Sequence, residues 1–143
     1  MRILTSRIRI CAKIVRTKKG YLFVKVLLVD DQAFQRKIYN MVLSGAGHEV
    51  IEVLDGQEAV DHFESGETVD LILLDAIMPN MDGFETCRRL RAMNAAKDVP
   101  IIFLTGNSDD ETIQQAFDAG VSDYFVKCAT PHDILRKIDR LAE

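Results

Sequence analysis

The chain has 143 residues, 48% of them hydrophobic and 28% charged, which is the composition of one folded domain and excludes a disordered, collagenous or low-complexity polymer. Its three cysteines, Cys11, Cys87 and Cys128, are odd in number and far apart, which argues against a disulfide scaffold or a thiolate zinc site and fits a reducing cytoplasm. The net charge of −4 averages two unlike parts: the first 25 residues hold eight basic side chains and no acid, leaving ten basic and all 22 acidic groups to the rest, a net of −12.

Residues 1–23 read as a basic extension outside the domain. Ile8, Ile10, Ala12 and Ile14 alternate there with Arg7, Arg9 and Lys13 in a strand-like period of two, and no apolar run long enough for a signal or membrane segment occurs. Val24 is a plausible true start of the domain, which is expected over 24–143. Tyr21 to Val29 is a near-continuous apolar run, as expected of a strand buried on both faces. Ala33 to Leu43 then carries Phe34, Ile38, Met41 and Val42 at helical spacing, with Gly45 and Gly47 as the stop. Glu49 to Leu54 alternates like a strand, and Gly56 to Glu64 reads as a short helix.

Val69 to Leu74 is a second buried strand, followed by the turn signals Met78-Pro79 and Asp82-Gly83. Phe84 to Met93 is helical, with Phe84, Cys87, Leu90 and Arg91 spaced by three or four. Pro100 to Leu104 is a third buried strand, and Asp109 to Ala119 a helix closed by Gly120 in a left-handed cap. Val121 to Val126 is a last strand, and a final helix to Leu141 is expected to start at Pro131 with Thr130 as N-cap. Strands this apolar, alternating with helices, predict an α/β fold: a flavodoxin-like doubly wound five-stranded parallel sheet, (βα)5, with strand order 2-1-3-4-5. His48, His62 and His132 lie in unrelated segments and read as surface or turn residues, and Cys87 as a packing group.

In such sheets ligands bind beyond the carboxyl ends of the strands. Asp30 and Asp31 follow the first strand, Asp75 ends the third, Thr105 the fourth and Lys127 the fifth. Each interrupts an apolar run where packing alone asks for no charge. Clustered carboxylates repel, a hard divalent cation such as Mg2+ relieves the repulsion, and a lysine and a hydroxyl beside them suit a phosphoryl group on a carboxylate.

Asp30-Asp31, Asp75 with Met78-Pro79 and Asp82-Gly83, Thr105-Gly106 and Lys127 together resemble the receiver domain of bacterial response regulators, of the single-domain chemotaxis-regulator type, from about residue 24 onward. The resemblance implies a phosphoprotein of a two-component system, located in the cytoplasm. Asp75 is then the acceptor from a histidine kinase or histidine phosphotransfer protein, and Asp30, Asp31, Asp75 and the backbone carbonyl of Ile77 hold Mg2+. Thr105 follows the phosphate, Lys127 pairs with it, and Tyr124 stands where the family has its switch aromatic. Ile77 and Asn107 are expected to flank the phosphate and tune its hydrolysis. Phosphorylation switches the surface of the fourth helix, fifth strand and fifth helix for a downstream protein or output domain. The domain phosphorylates and dephosphorylates itself and has no separate substrate, so it is not an enzyme in the ordinary sense.

Phe34, Gln35 and Ile38 on the first helix are the expected docking residues for the phosphodonor, while core packing is the default for Phe34. The resemblance is compatible with a homodimer and implies no direct contact with nucleic acid or membrane. A relay intermediate and a receiver cut from a larger regulator are the alternatives within the family. One departure stands out: Cys128 follows Lys127 where the family usually has proline after a cis bond, and a trans bond is expected here. Two rivals come from other classes. A haloacid-dehalogenase-type phosphatase needs a second Asp where Ile77 stands, and a flavin- or nucleotide-binding module needs a phosphate loop where Asp30-Asp31 would repel the anion.

Overall fold

A computed structural model describes residues 15–16, 22–127 and 129–141. Five strands form one sheet: β1 (Lys25–Val29), β2 (Glu49–Val53), β3 (Leu71–Asp75), β4 (Ile101–Thr105) and β5 (Asp123–Val126). Five helices alternate with them: α1 (Ala33–Gly45), α2 (Gly56–Glu64), α3 (Gly83–Arg91), α4 (Asp110–Ala119) and α5 (Asp133–Leu141). All ladders of this five-stranded sheet are parallel and the order is β2-β1-β3-β4-β5, as the alternation predicts.

The central strands β3 and β4 are buried at every position, whereas the edge strands β2 and β5 leave part of their length half-buried or exposed. Successive side chains of a strand point to opposite faces, so each central strand feeds two cores. Leu27, Val29, Ile72, Leu74, Ile101 and Phe103 pack with Ala59, Phe63, Cys87, Leu90 and Ala116 of α2, α3 and α4. Val26, Leu28, Leu71, Leu73, Ile102 and Leu104 pack on the other face with Tyr39 and Leu43 of α1 and Ile134, Ile138 and Leu141 of α5.

Local signals set the helix ends. Asp55, Asp82 and Asp109 each accept a backbone N–H three residues on, capping α2, α3 and α4. Gly120 closes α4 at φ 111°, the left-handed conformation predicted for it.

The structure corrects four expectations. The run from Tyr21 to Val29 is not one strand, because Leu22–Phe23 pairs antiparallel with Val15–Arg16 in a separate two-stranded piece. Val24 falls between the two strands, its N–H donating to Nδ1 of His48 at 3.1 Å. His48 is therefore buried and not a surface residue, and burial pushes its imidazole below the usual range. On α1 the core stripe is Tyr39 and Leu43, while Phe34 and Met41 of the predicted stripe are exposed. The last helix begins at Asp133: Asp133, Ile134 and Leu135 N–H bond back to Thr130, Pro131 and His132 carbonyls, so a tighter i→i+3 turn stands where a capped first turn was expected. The alternation from Ile8 to Ile14, Cys128 and the Lys127–Cys128 bond lie outside the described residues.

Candidate functional site

The carboxyl ends of β1, β3, β4 and β5 gather the polar residues that interrupt the apolar runs. One carboxylate oxygen from each of Asp30, Asp31 and Asp75 lies within 4.8 Å of the other two. Asp30 and Asp75 are buried, while Asp31 is exposed at the mouth. The backbone that carries them is tied down. Asp30 Oδ1 accepts the Gln32 N–H at 2.9 Å, forming a turn into α1. Asp75 Oδ1 accepts Lys127 Nζ at 2.5 Å and a longer contact from the Ile77 N–H at 3.4 Å. Lys127 thus reaches across the edge of the sheet from the end of β5 to neutralise part of the cluster.

The second oxygens of these acids behave differently. Among the described residues only three buried side-chain polar atoms lack a partner, and two of them are Asp30 Oδ2 and Asp75 Oδ2. Burial first, and then the neighbouring Asp75 charge, pushes the Asp30 carboxyl up to about 6. Buried, unpaired and like-charged oxygens are the donor set that a hard divalent cation takes. The residues present fit such an ion.

Thr105, at the end of β4, is buried. Its hydroxyl is engaged locally, donating to the Asn107 carbonyl at 2.9 Å and accepting the Asn107 N–H at 3.0 Å. Ile77, in the loop between β3 and α3, is 78% exposed. Tyr124, in β5, is half-buried and meets Phe117 of α4 edge-on, with ring centroids 6.3 Å apart. Phe34 is 77% exposed at the rim end of α1, with Gln35 and Ile38 half-buried beside it. The geometry therefore unites Asp30, Asp31, Asp75 and Lys127, sets Thr105 at the neighbouring strand end, and leaves Tyr124 and the α1 residues as separate surfaces.

Two residues of the site escape sequence reading. Arg36 Nη1 donates to the Asp30 carbonyl at 2.7 Å while its Nε pairs with Glu52 Oε1 at 2.9 Å, so a cation under the acidic turn is neutralised from β2. Its place one turn into α1 offered only the look of a surface charge. Gly83, read as a turn residue, sits so close that a Cβ there would lie 2.4 Å from the Asp75 carbonyl oxygen. Its N–H bonds the Ala76 carbonyl, so α3 starts directly against the strand that carries Asp75.

Comparison with known proteins agrees with this arrangement. A family model described as the response regulator receiver domain matches residues 26–139. A chemotaxis protein CheY homolog of Campylobacter jejuni is 35% identical over 117 residues, covering 81% of this chain and 90% of its own length. The solved structure of the Vibrio cholerae chemotaxis protein CheY4 superposes with TM-score 0.78 at 33% identity, over 83% of this chain and 98% of its own. The receiver domain of sensor histidine kinase PA1611 from Pseudomonas aeruginosa, solved with a magnesium ion coordinated in its active site cleft, superposes with TM-score 0.77 at 30% identity, over 85% of this chain and 99% of its own. The chain spans half or less of the length of the first curated relatives it matches.

Proposed function

Because the chain belongs to the response regulator receiver family of two-component signalling, we propose that Asp75 is its phosphoacceptor and that residues 24–143 form the receiver domain. The observation that carries this reading is the pair of buried, partnerless oxygens on Asp30 and Asp75, beside a lysine already bound to Asp75. Asp30, Asp31, Asp75 and the backbone carbonyl of Ile77 would hold Mg2+, and the magnesium in the cleft of the Pseudomonas receiver supports that assignment. Bound there, the ion supplies positive charge to phosphoryl oxygens.

The chain's own residues do the rest. An oxygen of Asp75 forms a new O–P bond as the donor's P–N bond breaks, and the donor is a histidine kinase or phosphotransfer protein. Lys127 gives Nζ to the phosphoryl group in place of the bond it now makes to Asp75 Oδ1. Thr105 leaves its turn with Asn107 to donate to the new anion, and the space it vacates admits Tyr124. Exposed Phe34, with Gln35 and Ile38, offers the donor an apolar anchor near the rim. Ile77 and Asn107 stand over the phosphate and govern water access to it.

The surface of α4, β5 and α5 then changes its affinity for a downstream protein or output domain, with no direct contact to nucleic acid. Among the described residues no helix is long and apolar enough to cross a membrane. Calorimetric titration with beryllofluoride and Mg2+ tests the site. Wild type is expected to bind beryllofluoride only when Mg2+ is present, and Asp75→Ala not to bind beryllofluoride at all. Binding by Asp75→Ala would refute the assignment.

A further inference from the structure

Tyr124 is contacted by an aromatic ring, a cation and a carboxylate. Phe117 of α4 meets its ring edge-on at an interplanar angle of 85°. Lys137 of α5 places Nζ over the ring, 5.2 Å from its centroid. The same ammonium is gripped by both oxygens of Asp123, at 3.2 and 3.1 Å, and Asp123 Oδ1 also accepts the Tyr124 N–H at 2.7 Å. One carboxylate therefore fixes both the backbone of the tyrosine and the cation over its ring. Lys137 is partly covered, with 26% of its side chain exposed, where a cation–π contact is worth more than in open water. This arrangement coexists with Thr105 turned onto Asn107 and Lys127 on Asp75, so it belongs to the resting state.

We propose that Lys137, locked by Asp123, is a positioning residue that clamps Tyr124 in its resting place and sets the threshold for the phosphorylation switch. The proposal rests on the reading of Tyr124 as the switch aromatic. When Thr105 turns toward the phosphoryl group and the ring moves into the space left, the ring gives up the Lys137 and Phe117 contacts. A weaker clamp lowers that cost, so the activated state is more populated and the protein as a whole binds its trigger with higher apparent affinity.

The sign of the effect separates this from bulk electrostatics. Removing a positive charge from α5 would, by field alone, weaken binding of an anion at the rim. The clamp predicts the opposite. Lys137→Met should tighten beryllofluoride binding in the presence of Mg2+ by at least about two- to fivefold, the range for losing one exposed cation–π contact. Lys137→Arg, which keeps the cation and the carboxylate pair, should match wild type, and the gain should vanish in a Tyr124→Ala background.

A second readout follows the ring itself by tyrosine-ring NMR, with the signal assigned through Tyr124→Phe. In Lys137→Met without ligand it should shift toward its position in beryllofluoride-bound wild type. Unchanged or weaker binding by Lys137→Met, or a gain that persists in Tyr124→Ala, overturns the proposal while leaving Asp75 and its metal untouched. A wild-type Tyr124 signal that ignores beryllofluoride removes the switch reading and the clamp with it.

Discussion

The two ends of the same parallel sheet treat their polar groups in opposite ways. At the carboxyl ends, Asp30 and Asp75 are buried with an oxygen each unpartnered and a third carboxylate beside them. At the amino ends, the half-buried Arg91 and the buried His48 are instead held by hydrogen bonds. The Arg91 guanidinium, on α3, donates to the carbonyls of Gly120, Ala96, Lys97 and Val99 and to the Ser122 hydroxyl, stitching α3, the following loop, the end of α4 and the approach to β5. Burial pulls the guanidinium's pKa below its usual range, opposed by the neighbouring Cys87 and Asp98. His48 likewise accepts the Val24 N–H. A buried charge that is bonded all round is structural, and one left open against like charges is waiting for a ligand.

The largest effect that could break this comparison is at the bonded end. Arg91→Met keeps the apolar stem but removes the guanidinium donor from the Gly120, Lys97 and Val99 carbonyls, and should lower stability by about 3 kcal/mol in a urea titration. Mg2+ affinity should stay unchanged. A loss below about 0.5 kcal/mol would erase the distinction between the two ends.

At the open end the sign reverses. The Asp30 carboxyl sits at about 6 in the folded chain against an ordinary 3.8, so the folded state holds this proton more tightly than the unfolded one. In metal-free protein the contribution of Asp30 to stability should therefore be best below about pH 4 and decline as pH rises through about 6. Asp30→Asn should accordingly stabilise the metal-free protein at pH 7 by about 1–3 kcal/mol while abolishing Mg2+ binding. A less stable Asp30→Asn protein would contradict the idea that this end is strained by design.

Smaller still is the gain from the ion itself. Mg2+ at ten times its dissociation constant should add about 1.4 kcal/mol to wild type at pH 8, read as a rise in Tm. The gain should shrink at pH 5, where Asp30 is protonated. The smallest effect on stability belongs to Phe34→Ala, within about 0.5 kcal/mol because the ring is 77% exposed. That variant should nonetheless slow phosphotransfer from a histidine donor and leave phosphorylation by acetyl phosphate intact. Equal loss in both assays would make Phe34 a packing residue.

Much of the fold was legible because the central strands are uninterrupted apolar runs that end in a polar residue. Asp75 and Thr105 close fully buried strands, and nothing but chemistry at the rim asks for them there. Gly120 was equally readable, since it acts within its own turn. What stayed hidden was set by distant partners. The stretch from Tyr21 to Val29 looks continuous until His48, 24 residues from Val24, bonds the N–H between its two pieces. Helix α1 carries two apolar stripes, and periodicity alone cannot choose Tyr39 and Leu43 over Phe34 and Met41. Arg36 looked like surface charge because its partners are the Asp30 carbonyl and Glu52 of another strand. Arg91 fell on the correct face with Phe84, Cys87 and Leu90, but its acceptors come from segments up to 31 residues away.

The central claim is that Asp75 is the phosphoacceptor at the open end of the sheet. Intact-mass measurement after incubation with acetyl phosphate and Mg2+ addresses it most directly. Wild type should gain one phosphoryl group, lost on removing Mg2+ from the reaction, and Asp75→Ala should gain none. An unmodified wild type, or equal modification of Asp75→Ala, would contradict the account.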